Sequence, residues 1–241
     1  MTSGDRLGHE PNPKWIRGVV DGRVVVDSRA VELVWEHRWY PTWYIPVGDI
    51  AAEVRLDGPD GPGDLVVGDR VLSGVVRRPA VDDPELQDRV VIAFDALDHW
   101  FEEDVEVFVH PRDPHKRIDV LASSRHVRVL VDGTVLADTE RPVALFETGL
   151  PVRWYLRPTD VRLEHLTPST SVTACPYKGT ARYWDVTVDG RVHHDLVWSY
   201  PTPLPESAGI AGLLCFYDDR ADDGVVVEVD GAARPRPDTP F

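Results

Sequence analysis

Trp15-Ile-Arg-Gly-Val-Val-Asp-Gly-Arg-Val-Val-Val-Asp27 is the stretch that decides the fold. β-Branched residues alternate on both sides of Asp21-Gly22, a turn pair that tolerates the positive φ a two-residue connection demands. The segment predicts a β-hairpin. It returns 111 residues later as His126-Val-Arg-Val-Leu-Val-Asp-Gly-Thr-Val-Leu-Ala-Asp138. At that offset Asp21, Gly22, Asp27, Glu36, Trp43, Tyr44, Asp49 and Glu53 meet Asp132, Gly133, Asp138, Glu147, Trp154, Tyr155, Asp160 and Glu164 without a gap. Identities spread beyond the hairpin point to one domain present twice.

Working outward, alternating or valine-rich segments predict strands at 30–36, 64–67, 70–76 and 90–93, and again at 142–147, 161–166, 181–188, 191–198, 210–217 and 224–229. Asp189-Gly190 predicts a third tight turn. Helical spacing is confined to 94–101, with short turns at 158–160 and 206–208. The fold class is mainly β: two tandem β-rich domains with few short helices. The expected divisions are a disordered N-terminus at 1–13, a degenerate first repeat at 14–121, a complete second repeat at 122–231 and a mobile tail at 232–241. Glycines and prolines make 57–63 a loop.

Composition narrows the function classes. The chain has 241 residues, 42% of them hydrophobic, enough for two cores, and no apolar run near membrane-spanning length. Its start is polar and lacks a signal-peptide core, so the expected location is the cytoplasm. Cys175 and Cys215 then read as free thiols, and neither belongs to a C-x-x-C metal pair. A net charge of −15 with three lysines argues against nucleic acid, whose binding needs clustered cations. No membrane partner, metal or cofactor is expected, and the expected state is a monomer or weak homodimer.

Three blocks of the second repeat carry a family resemblance: Phe146-Glu-Thr-Gly-Leu-Pro-Val-Arg-Trp-Tyr-Leu156, Cys175-Pro-Tyr-Lys-Gly-Thr-Ala-Arg-Tyr-Trp184 and Trp198-Ser-Tyr-Pro-Thr-Pro-Leu-Pro205. In this order after a D-G hairpin they resemble the signature blocks of the domain-of-unknown-function 427 family. The first repeat, including Phe108-Val-His-Pro-Arg-Asp113, resembles the N-terminal repeat of longer bacterial members. The resemblance implies a bacterial protein with a compact β domain of the β-tent kind and no established activity. The family is sometimes catalogued as nucleotidyltransferase-like. That heading finds no support in these residues: there is no phosphate-cradling G-x-x-x-x-G-K-[ST] loop, and Asp185 and Asp189 flank a strand instead of pairing.

The residues with chemistry concentrate in the second repeat. Cys175, Lys178 and Glu147 are the candidate reactive groups: a thiol, the only lysine of the second repeat, and a carboxylate after an apolar strand. Each has a structural reading too. Cys175 packs as a small hydrophobe, Lys178 is solvated, and Glu147 satisfies backbone donors. A reactive thiol needs a base, and His165, His193 and His194 are the available histidines. The pair His193-His194 reads as solvent-facing, because strand neighbours point to opposite faces and cannot share a metal. By the same rule Trp154 and Tyr155, or Tyr183 and Trp184, are not expected to enter one core together.

Some rings therefore line a surface or a pocket. The candidate ligand-binding set is Glu147, Arg153, Trp154, Tyr155, Tyr177, Lys178, Trp198 and Tyr200. It suits a small-molecule ligand with an anionic group and a flat or apolar body. Used instead as exposed surface, the same rings and the β edges would make a protein-interaction module. Neither reading assigns a reaction.

Overall fold

The computed structural model describes residues 8–58, 61–80, 83–220 and 224–239. The chain is mainly β and divides into two compact units, 1–113 and 114–241.

In the first unit, a seven-stranded antiparallel sheet runs His9–Pro11, Glu32–Val34, Thr42–Pro46, Arg89–Ile92, Arg70–Arg77, Gly63–Val67, Glu53–Leu56. A four-stranded sheet runs Val105–Val107, His99–Glu102, Ile16–Val20, Arg23–Ser28. Ile16, Val26, Trp43, Ile45, Leu65, Val76 and Trp100 form one buried core. Alternation sends one side of each strand inward, which is why Ile16, Gly18 and Val20 are covered or half-covered in turn with Arg17 and Val19.

The second unit has the same strand order with one seam. Ile118–Ala122, Val143–Glu147 and Arg153–Tyr155 form a three-stranded sheet. Paired backbone bonds between Leu156 and Leu214, 2.8 and 2.9 Å, join it to Cys215–Phe216, Arg191–Ser199, Gly179–Val188 and Leu166–Cys175. The companion sheet runs Thr134–Thr139, Val127–Val131, Val225–Val229, Ala232–Ala233.

Details repeat at matched positions. Both hairpins have a register shift after the third residue of their first strand, between Gly18 and Val19 and between Val129 and Leu130. Asp21 and Asp132 take φ of 50° and 47° at the turns. Ser28 Oγ donates to Asp49 at 2.6 Å, and Thr139 Oγ1 to Asp160 at 2.7 Å. Ile45 pairs with Val90 where Leu156 meets Leu214; Val76 pairs with Ile92 as Val197 with Phe216; Gly18 pairs with Trp100 as Val129 with Val227.

Several expectations need correction. Residues 94–101 are not a helix: Phe94–Ala96 is a 3-10 turn, and His99–Glu102 is a strand paired with Ile16–Val20. The 161–166 segment is not a strand of its own: it holds a bridge at Val161, a 3-10 turn at Leu163–His165 and, at Leu166, the first residue of the strand Leu166–Cys175. Ile118–Ala122 pairs with Val143–Glu147, so it belongs to the second unit, not to a first repeat ending at 121. His9–Pro11 is a strand on Glu32–Val34, although the start of the chain was expected to lack structure; residues 1–7 lie outside the described residues. Within the tail, Ala232–Ala233 pairs with Glu228 and Val229, and Arg234 bonds Val152 and Val227; residues 240–241 lie outside the described residues. Parts of the 57–63 loop, residues 59 and 60, are also outside them. No helix among the described residues is long and apolar enough to cross a membrane.

Candidate functional site

Glu147 ends the strand Val143–Glu147, and Lys178 sits in the turn that joins Leu166–Cys175 to Gly179–Val188. The turn is held down from the far side. Leu204 N donates to Lys178 O at 3.1 Å, Ser207 Oγ to Tyr177 O at 3.4 Å, and Gly179 takes φ of 94° beneath this segment. A Cβ at Gly179 would lie 3.4 Å from Thr202 O, so the glycine serves both the turn and the close approach. Lys178 Nζ thereby reaches Glu147 Oε2, with the two side chains only 13% and 6% exposed. Enclosing an ion pair costs several kcal/mol of desolvation per charge, so this is not a surface salt bridge formed for solubility.

Beside the pair lies a cluster of rings. Leu145, Tyr155, Tyr183, Trp198, Tyr200 and Cys215 share one buried cluster, with Cys175 and Tyr217 packed against it. Trp198 Nε1 donates to the Tyr155 hydroxyl at 3.1 Å, and their rings meet edge to face at 6.2 Å. The Tyr183 hydroxyl bonds Thr173 Oγ1 at 2.7 Å. Tyr200 differs: the residue is 6% exposed, and its hydroxyl bonds no protein group among the described residues yet is not fully shut off from solvent. Burial pushes the phenols of both Tyr155 and Tyr200 far above their ordinary value, so both stay neutral.

Arg153 lies on the other flank, with its guanidinium 5.4 Å from the Trp198 ring centroid. It bonds Asp218 Oδ1 at 2.8 Å and Asp219 Oδ2 at 2.5 Å, and Arg234 adds a contact to Asp218 at 3.3 Å. Burial raises the Asp218 pKa against the pull of both arginines. Around Val152, Arg153, Trp154, Phe216, Asp218 and Arg234 this network leaves a void of about 10 Å³, room for one water.

The structure thus brings together Glu147, Tyr155, Lys178, Trp198 and Tyr200, with Cys175 adjoining and Arg153 at the margin. It separates Trp154, which packs in the unit's other core with Val129, Leu156 and Phe216. Trp154 and Tyr155 do point to opposite faces, yet both are buried, because each face of the sheet is covered by its own core. Tyr183 and Trp184 divide the same way. His193 is buried, not solvent-facing, and bonds Asp132 at 2.9 Å; its neighbour His194 is exposed and meets Asp185 at 3.1 Å. His165 bonds Thr187 O. Each histidine considered as a base for Cys175 is engaged elsewhere, and burial pushes the Cys215 thiol up. Asp218, Asp219, Arg234 and Tyr217 were not singled out by sequence reasoning; the acid pair 218–219 is the only local signal of them.

Glu36, the counterpart of Glu147, keeps a cation by another route. It accepts from Arg77 Nη2 at 2.6 Å, the Tyr44 hydroxyl at 2.7 Å and Thr42 Oγ1 at 3.1 Å. Burial alone would raise the Glu36 pKa, but these bonds outweigh it and hold the carboxyl below its ordinary value. Arg77 pairs across its sheet with Val91 where Trp198 pairs with Cys215. It therefore stands in the position of Trp198.

Antiparallel sheets around a carboxylate–cation pair and a closed ring cluster define a small mainly β domain protein. The chain matches the model of a domain-of-unknown-function family, DUF427, over residues 9–58 and 119–227, more than half of its length, and it belongs to that family. No curated protein matches it.

Proposed function

We propose that the protein binds a small molecule carrying an anionic group in its second unit, next to Lys178 and Tyr200. The observation that carries this reading is the enclosed Glu147–Lys178 pair beside the largely buried Tyr200, whose hydroxyl bonds no other described residue. That hydroxyl is free to bond an incoming polar group. An anion would take up Lys178 donors that Glu147 does not use, while the rings of Tyr155, Trp198 and Tyr200 would flank its apolar body. Cys175 and Glu147 stand close enough to be groups the ligand meets, and no reaction is assigned to them.

Two further points belong to the same reading. The matched hairpins, latches and pairings support descent of the two units from one duplicated domain. The burial of Trp198 and Tyr200 favours an internal site over an exposed aromatic docking face.

The test is a thermal-shift screen of the full chain with small carboxylates and phosphates. Compounds that raise the melting temperature of wild type should lose that effect in both Lys178→Met and Tyr200→Phe, each compared with its own unliganded melt. Equal ligand shifts in all three proteins would remove the site.

A further inference from the structure

A hollow opens in the first unit, in the repeat that lacks the Cys-Pro-Tyr-Lys-Gly turn. It is a cleft of about 340 Å³, within the usual range for small-ligand pockets. Its wall is three rings: Trp43 and Trp100 lie 5.2 Å apart, and Phe94 sits 5.9 Å from each. Trp100 is fixed by an Nε1 bond to Phe94 O at 2.9 Å. Tyr40, stacked on His110 at 3.9 Å, and Val109 form the rim. Val109 has φ of 72°, a conformation that costs a β-branched residue energy and is held there by its surroundings.

Charge and register give the cleft its chemistry. Arg77 is its one Lys or Arg among the described residues, and no Asp or Glu lines it. Arg77 Nη2 meets Glu36 at 2.6 Å and Nη1 reaches Arg78 O at a long 3.4 Å; the side chain is 41% exposed, and of its five N–H donors these use two. The hollow lies where the second unit has its ion network. Thr42, Trp43, Ile92, Phe94 and Trp100 line it at the places of Arg153, Trp154, Phe216, Asp218 and Val227. One copy is plugged by charges; the other is open and walled by rings.

We infer that the first unit is itself a binding module, and that its cleft takes a planar aromatic carboxylate. The ring stacks against Trp43, Phe94 and Trp100, and the carboxylate accepts from Arg77 at the mouth. This site is independent of the one proposed for the second unit.

The experiment titrates the full chain with 2-naphthoate and with the neutral 2-naphthamide, read by calorimetry. Wild type should bind naphthoate saturably. Arg77→Gln should weaken it by about tenfold, the worth of one charge-assisted contact, while naphthamide binding stays as in wild type. The double variant Thr42→Arg/Phe94→Asp, which installs the second unit's plug, should bind neither probe. Should it not fold, by circular dichroism, the Arg77→Gln comparison decides alone. Tyr200→Phe should bind naphthoate normally, which separates this cleft from the other site. Naphthoate binding unchanged in Arg77→Gln, or lost in Tyr200→Phe, would overturn the assignment. So would no binding of either probe at about 1 mM, an affinity too weak for a site of this size.

Discussion

The first unit's cleft and the second unit's ion network solve one packing problem in opposite ways. Both lie beside the central strand that carries Trp43 or Trp154, with matched neighbours across the sheet. Where the second unit places Arg153 and Asp218, the first places Thr42 and Phe94, and the space between is left open. Filling a hollow with a buried ion pair carries a desolvation cost, whereas leaving it empty forfeits dispersion contacts. Neither is the default for a core selected only for stability. The carboxylates make the same point. Glu36 and Glu147 each hold a cation, but Arg77 arrives from a strand and Lys178 from a turn. The electrostatic requirement is common to both units, and the residue meeting it is not.

The comparison is most exposed to Arg153→Met. It leaves Asp218 and Asp219, whose side chains are 7% and 8% exposed, with Arg234 in contact with Asp218 at 3.3 Å. Removing one partner of a buried ion network costs about 3–5 kcal/mol. Denaturant unfolding, followed through tryptophan fluorescence, should show the second unit's transition moving by that much and the first unit's unmoved. Arg153→Met with Asp218→Leu should recover a large part, because the uncompensated charge goes with its partner. A loss under about 1 kcal/mol for the single variant would mean that the network is solvated, and the contrast with the open cleft would weaken.

A smaller effect is expected at Gly18. A Cβ there would lie 2.8 Å from Trp100 Cζ3 and 2.5 Å from Leu97 Cδ2, so Trp100 fits because residue 18 has no side chain. The second unit uses Val129 opposite Val227 at the same register. Gly18→Val should cost about 1–3 kcal/mol by overpacking. Gly18→Val with Trp100→Val should restore much of that loss in denaturant melts while removing a wall of the cleft. Equal stability of the single and double variants would show that the two pairs are not alternative solutions of one contact.

How much of this was legible in the sequence follows from the range of each interaction. The hairpins were readable because an Asp-Gly turn between alternating residues is a local signal, and the duplicated register made it doubly visible. Leu166–Cys175 was missed: its run of Thr, Pro and Ser lacks apolar alternation, and it lies at the edge of its sheet, largely exposed. The 94–101 segment was misread because Phe94, Leu97, Trp100 and Phe101 have helical spacing, which pairing with Ile16–Val20 overrides. Within the site, a cluster around Lys178 could be suspected from the scarcity of lysine. Glu147 was a candidate too, but its pairing with Lys178 could not be read, because the turn is aimed at Glu147 by docking on residues 202–207. Arg153 with Asp218, and Arg77 in the place of Trp198, rest on long-range pairing that no local pattern encodes.

The smallest difference separates the latches. Ser28 and Thr139 both donate to an aspartate after the hairpin, but two residues on the first unit has Ala30 and the second has Arg141. Arg141 bonds Asp160 at 2.8 Å and, with Thr139, draws the Asp160 pKa down to about 2 from an ordinary 3.8. A folded-state pKa below the unfolded one means that folding favours the carboxylate. Its stabilisation is fully present above about pH 4 and is lost as pH falls toward 2. Arg141 is 62% exposed, so solvent screens the pair and Arg141→Ala should lower stability only slightly at neutral pH. Unfolding midpoints of wild type and variant should converge as the pH is lowered through that window, and also in about 1 M salt. A gap that stays constant down to pH 2 would assign the loss to the packing of the Arg141 stem. The two latches would then differ in shape, not in charge.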